Sequence, residues 1–341
     1  MGDPVFVVGT TKLIAQLPVA ATVKLFRDGE VIQQKTGDRV TLETKSPGTY
    51  RVEAWLEADG EARPWIYGNP IYLRLPDLAA LALPSMETRT NVEIIKDITY
   101  VDGKAEDEAK HKLDIYLPKG KTNFPVFLFI HGGSWRSGDR TQYPPLGNRY
   151  ASEGIATVVM SYRLAPKNRH PAQIEDCAAA LAWVLKNIGQ YGGDTNRVFV
   201  GGHSAGGHLA ALLALGEDYL SPFGISNHQI HGVICLSGAY DVRDGNEKVF
   251  GPDEEVKRKA SPLFHIKKTG FPFLITYCEW DYFPLATQAQ EFHAALLKAG
   301  VDSRLIFVPK QSHISEMLVV TREDDMTASS VTGFVIGAKS Q

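Results

Sequence analysis

Cysteine is scarce in this 341-residue chain, and charge of either sign is not in large excess. The three cysteines, Cys177, Cys235 and Cys278, form no C-x-x-C pair, and each lies within an apolar segment. We therefore expect buried free thiols in a reducing compartment, and no disulfide framework. The formal net charge of -3 argues against the basic surface of a nucleic-acid-binding protein, so no nucleic-acid partner is expected.

Long apolar runs and metal-binding patterns are also missing. No stretch of about eighteen consecutive apolar residues occurs, so we expect no membrane-spanning helix and no membrane partner. The first residues, Met1 to Pro4, lack the basic and apolar regions of a signal peptide, which predicts a cytoplasmic location. There is no H-E-x-x-H, no paired Cys/His spacing and no phosphate loop ending in Lys-Ser/Thr, so we expect no metal and no cofactor.

The most informative motif that is present is G-H-S-A-G at residues 202–206. It follows the apolar run 197–200 and precedes the helix-like run 208–215, which predicts a strand, a tight turn and a helix. At such a junction the serine of G-x-S-x-G is a nucleophile in a strained turn, and the glycines remove Cβ atoms that would clash. We predict Ser204 as the nucleophile, and the N–H of Ala205, at the helix start, as a donor to an oxyanion formed there.

A second motif, H-G-G-S-W at residues 131–135, directly follows the strand-like run 125–130. Backbone N–H groups of such a loop, held in a dry site, stabilise the oxyanion of a tetrahedral intermediate by about 3 kcal/mol per donor. Gly133 and Ser134 are the candidate donors. His131 opens the loop, and we expect it to hold the loop by hydrogen bonds and not to act as a general base.

These two motifs, together with S-Y-R-L-A-P at residues 161–166, resemble the hormone-sensitive-lipase-like branch of the α/β-hydrolases. Within that branch the chain is similar to small bacterial esterases that include feruloyl and acetyl-xylan esterases and the arylformamidases. The resemblance covers roughly residues 92–340 and implies an α/β-hydrolase fold, a mostly parallel sheet flanked by helices. Many members have a third glycine where this chain has Ser134, which keeps the backbone donor but adds a side chain.

The chain order of this family, nucleophile then acid then base, directs the search for the remaining triad residues downstream of Ser204. A strand-like apolar run ends shortly before Asp281, the preferred acid, with Glu279 as the alternative. The last strand-like run leads into the loop that carries His313, the predicted base. His208 follows the nucleophile on the helix, where a packing role or a polar contact to a neighbouring loop is expected.

The chain divides into two parts of different pattern. Residues 1–75 contain short β-like segments about ten residues apart with period-two alternation, among them 12–17 and 22–26, which predicts a small all-β immunoglobulin-like sandwich. Residues 76–90 form an apolar, Pro-bounded linker, and residues 91–341 alternate strands with helices, which predicts the α/β-hydrolase catalytic domain. Because the linker is apolar enough to pack, we expect the N-terminal domain to dock either on the catalytic domain or on a neighbouring subunit. The second case would be a homo-oligomer formed through the N-terminal domain.

Together these features predict a serine carboxylesterase that hydrolyses short-chain carboxylic esters through an acyl-enzyme intermediate, with a small-molecule ester as its substrate. The charged segment 241–259 offers little apolar surface for a lid, and Trp135 is the candidate substrate-binding side chain. Two alternatives stay open. One is a feruloyl or acetyl-xylan esterase or an arylformamidase-type amide hydrolase, and the other is a non-catalytic binding protein.

Overall fold

The computed structural model describes residues 5–6, 11–58, 61–67, 71–74, 91–101 and 107–337. The chain divides into two units, Met1–Ser85 and Met86–Gln341. The predicted linker, residues 76–90, lies outside the described residues, so its packing stays a prediction.

The described strands of the first unit form one small, mainly antiparallel sheet. They are β1 (Val5–Phe6), β2 (Thr11–Arg27), β3 (Glu30–Thr44), β4 (Gly48–Ala58), β5 (Glu61–Tyr67) and β6 (Ile71–Arg74). The strand order is β1-β6-β4-β2-β3, and β5 pairs with β4. The described core of this sheet consists of two small clusters. One contains Leu17, Ala21, Val23, Val40 and Ala54, and the other contains Tyr50 and Leu73.

Strand β2 differs from the sequence-based expectation of two separate strands at residues 12–17 and 22–26. It runs through both segments, and its pairing with β3 shifts register between Gln16 and Ala21. Such an irregularity bends a strand without ending it. The small all-β domain is confirmed as a sheet, and its immunoglobulin-like, two-sheet arrangement stays a prediction.

The second unit alternates strands and helices, as predicted. Its strands are β7 (Val92–Thr99), β8 (Lys112–Pro118), β9 (Phe124–Ile130), β10 (Ala156–Met160), β11 (Gly193–His203), β12 (Gly232–Leu236), β13 (Phe273–Trp280) and β14 (Ser303–Ser312). Its α-helices are α1 (Pro144–Ser152), α2 (Ala172–Asn187), α3 (Ala205–Leu215), α4 (Glu247–Phe250), α5 (Glu254–Lys259), α6 (Leu285–Lys298), α7 (Ser315–Leu318) and α8 (Met326–Gly337). Short 3₁₀ turns lie between them, among them Ser221–Phe223 and Pro262–His265.

The sheet of the second unit has the order β14-β13-β12-β11-β9-β10-β8-β7. Strands β9 to β14 are parallel, whereas β7 and β8 pair antiparallel at one edge. Every residue of β9, β10 and β12 is buried, because helices cover parallel strands on both faces and the strands then become continuously apolar. Helix α3 is likewise buried along its whole length.

The strand order reverses between β9 and β11. The chain leaves β9 for β10 on one side and returns to β11 on the other side of β9. In open parallel sheets the crevice at such a reversal, outside the carboxyl ends of the strands, is where ligands bind. Both sequence motifs follow these two strands, so the fold brings the H-G-G-S-W loop and Ser204 to the same crevice.

Candidate active site

Ser204 lies in a strained turn between β11 and α3. Its backbone has φ 57° and ψ −118°, a conformation that costs a non-glycine residue about 1–3 kcal/mol. Two hydrogen bonds hold the turn. The Ser204 N–H donates to the carbonyl of Leu236 over 2.8 Å, and the His208 N–H donates to the carbonyl of Ser204. The side chain is therefore fixed at the carboxyl edge of the sheet, where the N-terminus of α3 begins.

Glycine is required on both sides of this turn. A Cβ atom on Gly202 would lie 2.3 Å from the carbonyl oxygen of Ile130, and one on Gly206 would lie 1.9 Å from the same atom. Real Cβ atoms do not approach oxygen so closely. The sequence-based explanation of the two glycines is thus confirmed, since β9 runs directly alongside the turn.

Ser204, His313 and Asp281 form one hydrogen-bonded chain. The Ser204 Oγ atom lies 2.8 Å from His313 Nε2, and His313 Nδ1 lies 2.6 Å from Asp281 Oδ1. The side chain of His313 is 3% exposed, and that of Asp281 is fully buried. Glu279, the alternative acid, is exposed and accepts a hydrogen bond from the backbone N–H of Lys310. The structure therefore brings Asp281, and not Glu279, to the imidazole.

The surroundings of Asp281 favour its ionised form. Burial raises the pKa of this carboxyl group, but the hydrogen bond from His313 and the nearby imidazole outweigh that effect and hold the pKa below its usual value. Two backbone N–H groups, of Cys278 and Tyr282, also donate to its oxygens. With both oxygens occupied as acceptors, the carboxylate fixes the proton of His313 on Nδ1 and leaves Nε2 free to accept.

The H-G-G-S-W loop lies against the nucleophile. A Cβ atom on Gly132 would come within 3.3 Å of the Ser204 Cβ atom. The next three residues, Gly133, Ser134 and Trp135, all have positive φ, and the N–H groups of residues 136 and 137 fold back onto the Gly133 carbonyl. In the described part of the chain, the N–H groups of residues 133, 134 and 205 donate to no other residue, so all three predicted donors are available to a ligand.

The sequence-based role of Trp135 does not agree with the structure. Its side chain is 5% exposed, and its indole N–H donates to His208 Nδ1 over 3.1 Å. Its ring also packs edge-on against Phe250. Trp135 is therefore a buried contact between the loop and His208 of helix α3, and its ring is not exposed as a substrate-binding side chain would be.

Two further histidines support the loop, as predicted. The His131 Nδ1–H donates to the Gly132 carbonyl over 2.7 Å, and its ring stacks on Tyr162. His208 accepts from the tryptophan and donates through Nε2 to the carbonyl of Ala260 over 2.7 Å. Burial lowers the pKa of His131 to about 4 and that of His208 to about 3, so both stay neutral near pH 7.

His203, for which no motif in the sequence predicts a function, contacts the base directly. Its Nε2–H donates to the main-chain carbonyl of His313 over 2.8 Å, and the two ring centroids are 4.6 Å apart. Burial, with a smaller effect of the His313 charge, lowers the pKa of His203 to about 3. A neutral His203 thus holds the backbone of the base without a charge of its own.

The sequence also does not predict the buried carboxyl group of Glu316, which lies near the triad acid Asp281. Glu316, fully buried, accepts hydrogen bonds from Ser237 (2.8 Å), Thr276 (2.7 Å) and Thr327 (3.2 Å). Ser237 also neighbours Asp281 and helps to lower the pKa of that acid. Glu316 lies three residues after His313, but its hydroxyl partners come from distant segments, so no local pattern predicts the cluster.

No group of three or more metal-ligating side chains is placed to hold an ion within the described residues. The three cysteines are buried and free, as predicted, and burial raises the pKa of each thiol. None of the helices that the structure describes combines the length and apolar character needed to span a bilayer. What the site offers is a serine, a base, an acid and backbone donors.

Residues 113–296, more than half of the chain, match the BD-FAE family. The chain belongs to the BD-FAE family. This span contains the H-G-G-S-W loop, Ser204 and Asp281, whereas His313 lies beyond it. The family resemblance inferred from the motifs is thus confirmed.

Relatives of this BD-FAE chain include two esterases of Mycobacterium tuberculosis (strain ATCC 25618 / H37Rv). Esterase LipQ is 30% identical over 262 residues, which cover 70% of this chain and 61% of LipQ. Esterase LipC is 31% identical over 210 residues, which cover 54% of this chain and 52% of LipC. The chain spans less than two thirds of the length of either relative.

Among solved structures, esterase B from Lactobacillus rhamnosis (HN001) is similar to this BD-FAE chain with a TM-score of 0.63 at 23% sequence identity. The match covers 76% of this chain and 90% of esterase B. At this identity the likeness shows the fold alone. It confirms the α/β-hydrolase fold predicted from the sequence.

Proposed function

We propose that this protein is a serine carboxylesterase that hydrolyses short-chain carboxylic esters through an acyl-enzyme intermediate. His313 Nε2 takes the proton of Ser204 as Oγ attacks the ester carbonyl. The N–H groups of Gly133, Ser134 and Ala205 hold the oxyanion. The imidazolium then protonates the leaving alcohol, and water, activated by the same base, hydrolyses the acyl-enzyme.

One observation carries this proposal. Ser204, His313 and Asp281 are joined by hydrogen bonds of 2.8 and 2.6 Å, in the order that nucleophilic catalysis requires, within a BD-FAE family chain. The esterase names of LipQ and LipC favour ester substrates. The preference for short acyl chains is supported by the segment between β12 and β13, whose helices α4 and α5 carry mainly charged side chains.

The experiment is a kinetic comparison of the wild type with Ser204→Ala on p-nitrophenyl esters of two to twelve carbons, methyl ferulate and a formanilide. We expect the wild type to favour about two to six acyl carbons, since a longer chain left in water forgoes about 0.8 kcal/mol per CH₂. Ser204→Ala should lose activity by about 10⁴-fold or more. Ser221→Ala, an exposed serine on a 3₁₀ turn, is the matched control and should retain activity.

Three outcomes of this panel would change the proposal. Activity that survives in Ser204→Ala would exclude the serine mechanism. Faster turnover of the formanilide than of any ester would favour an amide hydrolase. No turnover of any compound by the wild type would favour a non-catalytic binding protein.

We also propose that the protein is cytoplasmic and self-associates through its N-terminal sheet. Three buried free thiols suit a reducing compartment. The sheet exposes large apolar side chains, among them Ile14 (51%), Val31 (50%) and Trp65 (40%). Light scattering should show an oligomer that Ile14→Glu dissociates, and a monomeric wild type or an unchanged mass in the variant would contradict the proposal.

A further inference from the structure

Three large apolar side chains stand exposed beside the triad. Tyr282 and Phe283, which follow Asp281 in the chain, are 45% and 95% exposed, and Ile314, which follows His313, is 50% exposed. The hydrogen bond between Asp281 and His313 brings the two segments together. Large exposed apolar side chains on two segments that meet at one site point to a ligand or partner.

Tyr282 fixes the location of this apolar rim relative to the reacting atoms. Its ring centroid lies 4.3 Å from that of His313, with the two planes inclined by 35°. The phenol ring thus covers one side of the catalytic imidazole, and the next residue, Phe283, is almost fully exposed. The rim lies on the base side of Ser204, whereas the proposed oxyanion donors come from a different loop and from the start of α3.

The mechanism determines whether the acyl part or the alcohol part of an ester lies next to His313. When the tetrahedral intermediate collapses, the bond between the acyl carbon and the leaving oxygen breaks, and the proton on His313 Nε2 moves to that oxygen. The leaving oxygen must then be within hydrogen-bond reach of Nε2. Any group attached to it then lies beside His313, whose ring is in contact with that of Tyr282, while the acyl group stays attached to Ser204.

We propose that Tyr282, Phe283 and Ile314 bind the alcohol part of the substrate, and that this alcohol carries an aromatic ring, as in short-chain esters of arylmethyl alcohols. This inference rests on the proposed esterase function. An aromatic ring buries apolar area against Phe283 and Ile314, and aromatic pairs gain stabilisation from offset or edge-on contact beyond that area. A small aliphatic alcohol reaches only the inner part of the rim.

The test compares benzyl acetate with allyl acetate, two acetates of unsaturated primary alcohols that differ in the aromatic ring. The ratio of kcat/KM for benzyl over allyl acetate isolates binding of the ring, because a folding defect or a damaged triad lowers both values together. Phe283→Ala should lower this ratio by about five- to tenfold. Phe283→Leu, which keeps apolar area but loses the ring, should lower it by a smaller factor.

The control is Phe223→Ala, which removes another exposed aromatic ring, 42% accessible, from the 3₁₀ turn Ser221–Phe223 and should leave the ratio unchanged. A wild type that hydrolyses both esters with a ratio unaffected by Phe283→Ala would overturn the rim assignment and leave the esterase proposal standing. A wild type that hydrolyses neither ester would overturn both. Dissociation of an oligomer by Phe283→Ala, with the ratio intact, would show instead that the rim is a contact between copies of the chain.

Discussion

Replacing Asp281 by asparagine tests how the acid acts on the base. Each carboxylate oxygen accepts from the backbone, Oδ2 from Cys278 N–H and Oδ1 from Tyr282 N–H, and Oδ1 also accepts from His313. The amide NH₂ of asparagine must take one of these two places. At Oδ2 it would meet the Cys278 donor, and at Oδ1 it would face the imidazole as a donor.

The second arrangement disables the base. If the asparagine NH₂ faces Nδ1, His313 must carry its proton on Nε2, and it then cannot accept the proton of Ser204. Either arrangement also removes the negative charge that stabilises the imidazolium. We expect Asp281→Asn to lower kcat by about 10³- to 10⁴-fold, which is about 4 to 5.5 kcal/mol of transition-state stabilisation, with KM little changed.

The matched control is Glu279→Gln, measured by steady-state hydrolysis of p-nitrophenyl acetate. Glu279 is exposed and accepts from the Lys310 N–H, which a glutamine oxygen can also do, so we expect at most about a threefold loss. A larger loss in Glu279→Gln than in Asp281→Asn would refute the reasoning and move the acid to Glu279. Equal melting temperatures of the two variants would exclude unfolding as the cause.

Three further predictions concern the groups that support the site. Trp135→Phe leaves His208 Nδ1 buried without its donor. We therefore expect a loss of about 1–3 kcal/mol in the free energy of unfolding, measured with urea, and about tenfold lower kcat in steady-state kinetics. An unchanged kcat would show that catalysis does not need this contact to hold the loop. Glu316→Ala leaves three buried hydroxyl groups without their acceptor and should cost about 3 kcal/mol or more, whereas Glu316→Gln should cost less, and equal melting temperatures of these two variants would contradict this. Burial lowers the pKa values of His131, His203 and His208 to about 4, 3 and 3, so below pH 6.5 the unfolded chain binds protons that the folded chain does not. The free energy of unfolding should therefore be full above pH 6.5 and fall below it, by up to about 1.4 kcal/mol per pH unit for each imidazole. A urea midpoint that stays constant from pH 7 to 4.5 would contradict this.

Much of the catalytic domain was predictable because its signals are local. A fully buried parallel strand has a continuous apolar sequence, and β12 coincides with the apolar run Gly232–Leu236. The G-x-S-x-G turn is equally local, since Gly202 and Gly206 clash with the neighbouring strand if either gains a Cβ atom. The strands of the N-terminal sheet were harder to predict. The residues between Gln16 and Ala21, where the pairing of β2 with β3 shifts register, interrupt the strand pattern in the sequence as a strand end would.

The roles of His203 and Glu316 could not be predicted, because their partners are distant in the chain. His203 holds the carbonyl of a residue 110 positions away, and Ser237 reaches Glu316 across 79 positions. Neither contact has a periodic or motif signature. The error at Trp135 has the same origin, since the loop that turns its ring inward is completed by His208, 73 positions downstream.

Active-site labelling tests the central claim most directly. Incubation with a p-nitrophenyl alkylphosphonate, followed by intact-mass measurement and peptide mapping, should show one adduct per chain on Ser204, formed in parallel with the loss of esterase activity, and none in Ser204→Ala. An adduct on any other residue, or full esterase activity in protein labelled at Ser204, would contradict the assignment of Ser204 as the nucleophile.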